Sequence, residues 1–210
     1  MNATPSQIRI LVVDDHPLLR QGIARLVADQ SDMSLVAEAS NGREAILQFR
    51  AHRPDVTLMD LQMPEMNGLD AIAAIRCEFP EARIIMLTTY DGDVQVLRAL
   101  KAGARAYLLK NLLRKELLET IRAVHAGKKT LSPEVSYQLA EHATDDALTP
   151  AEIDVLRLIA AGNANKQIAD QLSITEETVK GRVKNILSKL GANDRTHAAM
   201  IGLKRGIIEF

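Results

Sequence analysis

The sequence predicts two architectures in series: an α/β doubly wound, five-stranded parallel sheet, then an all-α four-helix domain. Two observations carry this expectation. Up to Gly127, short apolar runs alternate with amphipathic helical patterns five times, and apolar strands in that alternation imply a parallel sheet covered on both faces by helices. After a polar stretch at 143–147 the pattern changes to helices alone. A third observation bears on function: four of the apolar runs end in reactive side chains.

The first strand is Ile8 to Val13, apolar apart from Arg9 and ending in Asp14-Asp15. His16-Pro17 starts a helix whose Leu18, Leu19, Ile23, Leu26 and Val27 recur at helical spacing. Ser34 to Ala39 is the second strand, and Asn41-Gly42 turns into a helix over 43–50. The run Val56-Thr57-Leu58-Met59-Asp60 has the length and branched residues of a buried strand, although pattern alone also admits a buried helix segment. Asn67-Gly68 opens a helix that Pro80 stops, and Arg83 to Thr88 is the fourth strand. A helix over 93–102 ends at Gly103. Ala106 to Lys110 is the fifth strand, and a helix over 114–126 closes at Gly127. Ser132-Pro133 begins a further helix reaching about His142. In the last part, Thr149-Pro150-Ala151-Glu152 supplies an N-cap, a first-turn proline and a first-turn acid. Helices over 165–172, 175–190 and 195–203 follow, with Ser173-Ile174-Thr175 as a tight turn. The expected division is therefore 1–127, a linker with a helix at 128–147, and 148–210.

Composition excludes several classes. No apolar run approaches the ~18 residues of a membrane span, and the polar start, Met1 to Gln7, lacks a signal-peptide pattern. Cys77 is the only cysteine, so no disulfide framework or cysteine-based zinc site exists; its apolar helical pattern reads as a small core position. These features suggest a cytoplasmic protein without a membrane partner. The net charge of −1 divides unevenly: residues 148–210 carry 9 Lys/Arg and 7 Asp/Glu, leaving 17 of the 26 basic and 20 of the 27 acidic side chains to the rest. That asymmetry hints at an anion-binding tail. The phosphate loops G-x-G-x-x-G and G-x-x-x-x-G-K-[ST] are both missing.

On a doubly wound sheet the strand ends Asp14/Asp15, Asp60, Thr88 and Lys110 share the carboxyl edge, where ligands bind. Clustered carboxylates repel unless a cation sits among them, and hard oxygen ligands suit Mg²⁺. A lysine and a hydroxyl beside them make a site for a transferring phosphoryl group, with Asp60 as the attacking carboxylate. Taken singly, each residue has an ordinary role as a helix cap, a strand end or a solvated charge.

The segments Val12-Val13-Asp14-Asp15-His16-Pro17, Met59-Asp60-Leu61-Gln62-Met63-Pro64, Leu87-Thr88 and Tyr107-Leu108-Leu109-Lys110 resemble the receiver domain of bacterial two-component response regulators. The resemblance covers about residues 7–127 and implies a flavodoxin-like strand order 2-1-3-4-5. It implies Asp60 as phosphoacceptor for a sensor histidine kinase, and Mg²⁺ on Asp14, Asp15, Asp60 and the Gln62 carbonyl. It further implies Thr88 and Lys110 as partners of the phosphoryl group, and Tyr107 as a switch aromatic that rotates inward. Asn111 stands where many receivers have proline; without proline a cis bond there costs ~3–4 kcal/mol, so the cis form is not assumed.

In the third tail helix, Val179, Val183, Ile186 and Leu190 form one face, and Lys180, Lys184 and Ser188 lie opposite, flanked by Arg182 and Asn185. Such a helix, set by a short turn behind another, is either an ordinary amphipathic helix or the reading helix of a helix-turn-helix. Leu148-Thr149-Pro150-Ala151-Glu152, Asn165-Lys166-Gln167-Ile168-Ala169, Thr178-Val179-Lys180 and Lys189-Leu190-Gly191 resemble the LuxR-type helix-turn-helix domain. With the receiver segments, the whole chain resembles a NarL/FixJ-class response regulator. The resemblance places Lys180 and Lys184 in the groove of double-stranded DNA. It places Lys166, Thr178 and Arg182 near the backbone, and homodimer contacts on Ala198, Ala199 and Ile201. Gly181 departs from the family's usual side chain there: it either allows close backbone approach or removes one base contact.

The expected function is a phosphorylation-dependent transcriptional regulator that dimerises and reads operator half-sites, with no catalysis beyond self-phosphorylation and slow autodephosphorylation. Two other readings stand beside it. One is a constitutive DNA-binding protein whose receiver only docks or dimerises. The other is a dehalogenase-type phosphatase, disfavoured because Gln62 occupies the place of that family's second aspartate.

Overall fold

A computed structural model describes residues 7–89, 93–110, 115–131, 136–137 and 147–208. The chain separates into two compact units, one over 1–89 and 96–135, the other over 90–95 and 136–210.

The first unit runs β1 (Ile8–Val13), α1 (Pro17–Ala28), β2 (Met33–Ala39), α2 (Gly42–His52), β3 (Val56–Asp60), α3 (Gly68–Glu78), β4 (Ile84–Thr88), α4 (Asp93–Ala102), β5 (Ala106–Leu109), α5 (Lys115–His125) and β6 (Thr130–Leu131). All ladders are parallel, in the order β2-β1-β3-β4-β5-β6. The 56–60 run is a strand, buried at all five positions. Because successive strand side chains point to opposite faces, Ile10 and Val12 pack with Ile23 and Val27 of α1 and Leu117, Ile121 and Val124 of α5. The opposite face is covered by α2 and α3, whose Ala45, Phe49, Ala71, Ile72 and Ile75 are buried.

Two expectations are corrected here. The sheet has a sixth strand: Thr130 pairs with Ala106 and Leu131 with Tyr107, inside the stretch expected to be linker. Two residues carry no readable periodicity, so only the open edge of β5 reveals the strand. Cys77 is exposed, not a core position, because α3 turns Ile72 and Ile75 to the sheet and Cys77 away from it. The expected helix from Ser132 lies outside the described residues, except for Ser136 and Tyr137, which are helical. Asn111 also lies outside them.

The second unit contains α6 (Pro150–Ala160), α7 (Asn165–Leu172), α8 (Glu176–Leu190) and α9 (Arg195–Lys204). Thr149 and Glu152 form a reciprocal capping box at the start of α6. Glu152, only 5% exposed, is also paired by Lys189 Nζ at 2.9 Å. The tight turn uses Ser173 in the left-handed region, φ 54°, and the Ile174 N–H donates to the Ala169 carbonyl at 3.0 Å. That closure fixes the α7–α8 angle. Val155, Leu156, Ile168, Val179, Ile186, Ala198 and Ile208 fill the core. Lys180 and Lys184 of α8 are left exposed.

Candidate functional site

Strand register assembles the first site. Val13 pairs with Met59, so Asp14 and Asp60, one residue further along each strand, arrive side by side. Asp60 pairs with Leu87, which brings Thr88 to the same edge. Thr88 pairs with Leu109, and Lys110 follows. Four residues far apart in sequence thus meet because parallel strands run in step.

Asp14 is fully buried, Asp60 is 3% exposed and Thr88 is 1% exposed. Lys110 Nζ lies 2.8 Å from both Asp14 Oδ2 and Asp60 Oδ2, one ammonium bridging two carboxylates. Asp15 is half-buried. Ligand atoms of Asp14, Asp15, His16 and Asp60 all lie within 4.8 Å of one another.

His16 was not singled out from the sequence. Its ring Nδ1 lies 2.7 Å from Asp15 Oδ1 and 3.2 Å from Asp14 Oδ1, and its backbone N–H donates to Asp14 Oδ1 at 2.8 Å. The available signal was its place as the residue that caps α1 directly after the two acids.

Burial is the main reason that the Asp60 pKa rises from 3.8 to about 6; the nearby Asp14 and Asp15 charges add to it, and Lys110 pulls the other way. For Lys110, burial opposes the ammonium, but its bonds to Asp14 and Asp60 outweigh it and hold the pKa above the ordinary value. Asp14 Oδ2 and Asp15 Oδ1, despite their contacts with Lys110 and His16, accept no hydrogen bond of ordinary geometry. Buried oxygens of this kind, three carboxylates around one point, fit a hard divalent cation such as Mg²⁺. Gln62 is exposed in the loop just beyond Asp60.

The loop is held tightly. Gly68 donates its N–H to the Leu61 carbonyl at 2.9 Å, and a Cβ on Gly68 would come within 2.1 Å of the Asp60 carbonyl oxygen. The start of α3 can press on Asp60 only with glycine there. Glu65 is held in the left-handed region at φ 65°. Tyr107, expected to rotate inward, is already enclosed, with 0% exposure.

The second site is the outer face of α8. Lys180, Gly181, Lys184, Asn185 and Ser188 are exposed and Arg182 is half-buried. Lys180 Nζ lies 3.6 Å from Glu176 and 3.8 Å from Glu177, contacts long enough to exchange for a stronger anion. Thr178 is exposed at the start of α8, its hydroxyl 2.8 Å from that of the capping Thr175. Lys166 is exposed on α7.

The expected dimer residues lie mostly inside the unit. Ala198 is 0% and Ala199 is 8% exposed, both in the core of the unit, and Ile201 is half-buried. Alanine is short enough to pack against α6 and α8, so the outward side of α9 belongs to Met200, 66% exposed.

No helix among the described residues is long and apolar enough to cross a membrane. Comparison with known proteins matches residues 10–122 to the response regulator receiver domain and residues 146–201 to the bacterial regulatory proteins of the luxR family. The response regulator protein VraR of Staphylococcus aureus is 38% identical over 207 residues, spanning 96% of this chain and 99% of that protein. Among solved structures, the response regulator ChrA of a heme-sensing two component system is 34% identical, with TM-score 0.58, covering 97% of this chain and 100% of that one. RcsB from Salmonella enterica serovar Typhimurium, solved bound to promoter DNA in the presence of the phosphomimetic BeF3-, is 26% identical, with TM-score 0.74, covering 93% and 98%. With an acidic phosphoryl-type pocket on one unit and a helix-turn-helix on the other, the chain belongs to the two-component response regulators, as a NarL/FixJ-class regulator of transcription that joins a receiver to a LuxR-type DNA-binding domain.

Proposed function

We propose that Asp60 accepts a phosphoryl group from a sensor histidine kinase, and that this promotes dimerisation and binding to operator half-sites on double-stranded DNA. The observation that carries the reading is the Lys110 ammonium 2.8 Å from both Asp14 and Asp60 at the carboxyl edge of the sheet. At neutral pH Asp60 is chiefly ionised, since its pKa of about 6 lies below 7, and so presents a nucleophile. Its oxygen bonds to phosphorus as the bond to the donor nitrogen breaks. Lys110, released from one carboxylate as that group becomes an acyl phosphate, turns to a phosphoryl oxygen, and Thr88 donates to another. Asp14, Asp15, Asp60 and the Gln62 carbonyl would hold Mg²⁺, which would supply charge neutralisation for the phosphoryl oxygens. Hydrolysis returns Asp60 slowly. Tyr107, which pairs with Met86 two residues before Thr88, is the switch aromatic; since it is already enclosed, its rearrangement on phosphorylation takes place within the buried layer.

The proposed domains are a receiver over 1–127, a linker over 128–147 and a DNA-binding domain over 148–210, in a cytoplasmic protein. Lys180 and Lys184 enter the major groove while Lys166, Thr178 and Arg182 meet the backbone. Since Ala198 and Ala199 are buried, the dimer contact of this domain passes to Met200, with Ile201 at its margin. The solved RcsB complex with promoter DNA and BeF3- supports a DNA-bound active form. The test is DNA retention and solution mass with and without Mg²⁺ and beryllofluoride, for wild type and Asp60→Ala. Wild type alone should dimerise and gain affinity; equal binding by both proteins in every condition refutes the switch.

A further inference from the structure

A glycine inside a helix gives up more backbone freedom than any other residue, so it lowers stability relative to alanine. Three helical glycines have a local reason to be there. A Cβ would come within 2.6 Å of Met66 at Gly42, 2.1 Å of the Asp60 carbonyl at Gly68 and 2.8 Å of Leu156 at Gly202. Gly22 on α1 and Gly181 in the middle of α8 have no such reason, with nothing within 4 Å of their Cβ positions and no positive φ; of the two, only Gly181 lies on the face assigned above to DNA. What surrounds it is the exposed stripe of the helix. Glu177 lies one turn before, Asn185 one turn after, and Lys180 and Lys184 alongside, all exposed. The bare backbone is therefore at the centre of the face assigned above to DNA.

We propose that Gly181 is a specificity-determining position at which the α8 backbone approaches the base edges closely and receives a thymine C5-methyl group. The inference rests on the DNA-binding reading and deepens it. Gly181 brings no side-chain donor or acceptor, and its N–H is used within the helix, so it cannot read a base by hydrogen bonding. Recognition there is by shape, and the one apolar feature that a base pair shows in the major groove is the thymine methyl. The space a Cβ would fill is the space that methyl takes. Lys180 and Lys184, placed on both sides, hold the helix at that depth.

The test starts from duplexes selected by the full-length wild-type protein from a random pool with Mg²⁺ and beryllofluoride. Each thymine of the selected half-site is replaced in turn by deoxyuridine, which lacks the methyl, and affinities are measured for wild type, Gly181→Ala and Gly22→Ala. Gly22 is the control, since it is also helical with nothing within 4 Å, on α1. At one thymine position, wild type loses about four-fold with deoxyuridine, the worth of one buried methyl. Gly181→Ala binds the thymine duplex about ten-fold more weakly, as an overpacked contact does, and recovers with deoxyuridine at that same position. Gly22→Ala behaves as wild type throughout. The proposal is overturned if Gly181→Ala binds every duplex as wild type does, or if no thymine position restores it. If wild type retains no duplex above a scrambled one, the DNA-binding reading itself falls and takes this one with it.

Discussion

Replacing Asp60 by asparagine should make the metal-free receiver more stable, although it destroys the phosphoacceptor. The pKa of Asp60 is raised from 3.8 to about 6, chiefly by burial. A raised acid pKa means that the folded state binds the proton more tightly than the unfolded chain between these values. Stability attributable to this group therefore falls as pH rises through that window, and the loss is complete above pH 6. At ~1.4 kcal/mol per unit, the shift corresponds to about 3 kcal/mol at pH 7.5, and to about 1 kcal/mol at pH 4.5. Asparagine cannot ionise and fills nearly the same volume. It forfeits part of the Lys110 attraction at 2.8 Å, but Lys110 keeps Asp14 as a partner at the same distance. The expected gain is about 2 kcal/mol at pH 7.5, shrinking towards zero as the pH falls below 4. The assay is urea unfolding of the full chain with a chelator, resolved to this unit by hydrogen exchange on β1 and β3 peptides. Excess Mg²⁺ should narrow the gap, since a cation that binds only the folded state favours the protein with more carboxylates. An Asp60→Asn protein no more stable than wild type at pH 7.5, or a gap that widens on acidification, would refute the reasoning.

Three further predictions rest on separate contacts. Gly68→Ala puts a Cβ against the Asp60 carbonyl, where the space is 2.1 Å, so it should cost about 2 kcal/mol or more and abolish the beryllofluoride-dependent change in hydrogen exchange around β3; an unchanged response would exclude the contact. Glu65→Gly relieves a left-handed backbone at φ 65° and should leave stability equal or raise it by up to about 1 kcal/mol; a loss larger than that in a urea melt would show that the Glu65 side chain has a separate role. Lys189→Met leaves Glu152 buried with its capping bonds but without its cation at 2.9 Å, and should destabilise the second unit by about 1–3 kcal/mol. Burial works against the Glu152 charge, but its bonds to Thr149 and Lys189 outweigh it and hold the pKa below 4.5. That contribution is complete above pH 4.5 and lost as pH falls through the lower folded value, so the wild-type advantage in a melt should disappear in acid.

Several features were legible because they are written locally. Apolar runs of five or six residues separated by helical patterns specify strand and helix without reference to anything distant. An acid, a hydroxyl or a lysine after such a run marks the end of a strand. Asp14, Asp60, Thr88 and Lys110 could thus be named as one site as soon as a parallel sheet was inferred, and the 3.6-residue spacing of Val179, Val183, Ile186 and Leu190 placed the cationic face of α8 outward. The capping residues Thr149 and Glu152 were equally plain, since a capping box lies within four residues.

Other features depend on which segments meet, and no local pattern records that. Thr130-Leu131 is a strand only because the edge of β5 is open beside it. Ala198 and Ala199 are core residues because α9 turns them inward, and Cys77 is exposed because α3 turns it away. Tyr107 is enclosed where its strand alone left its position open. His16 touches Asp14 and Asp15 locally, but it shares a cluster with Asp60 only because β1 and β3 run in step. By itself, the sequence determined the two architectures and the residue types at the strand ends, because periodicity and capping act over a few residues. Only the tertiary structure decided the 2.8 Å bridge of Lys110 between Asp14 and Asp60 and the close seat of Gly68 on Asp60, because strand register and helix docking are set by side chains far apart in the chain.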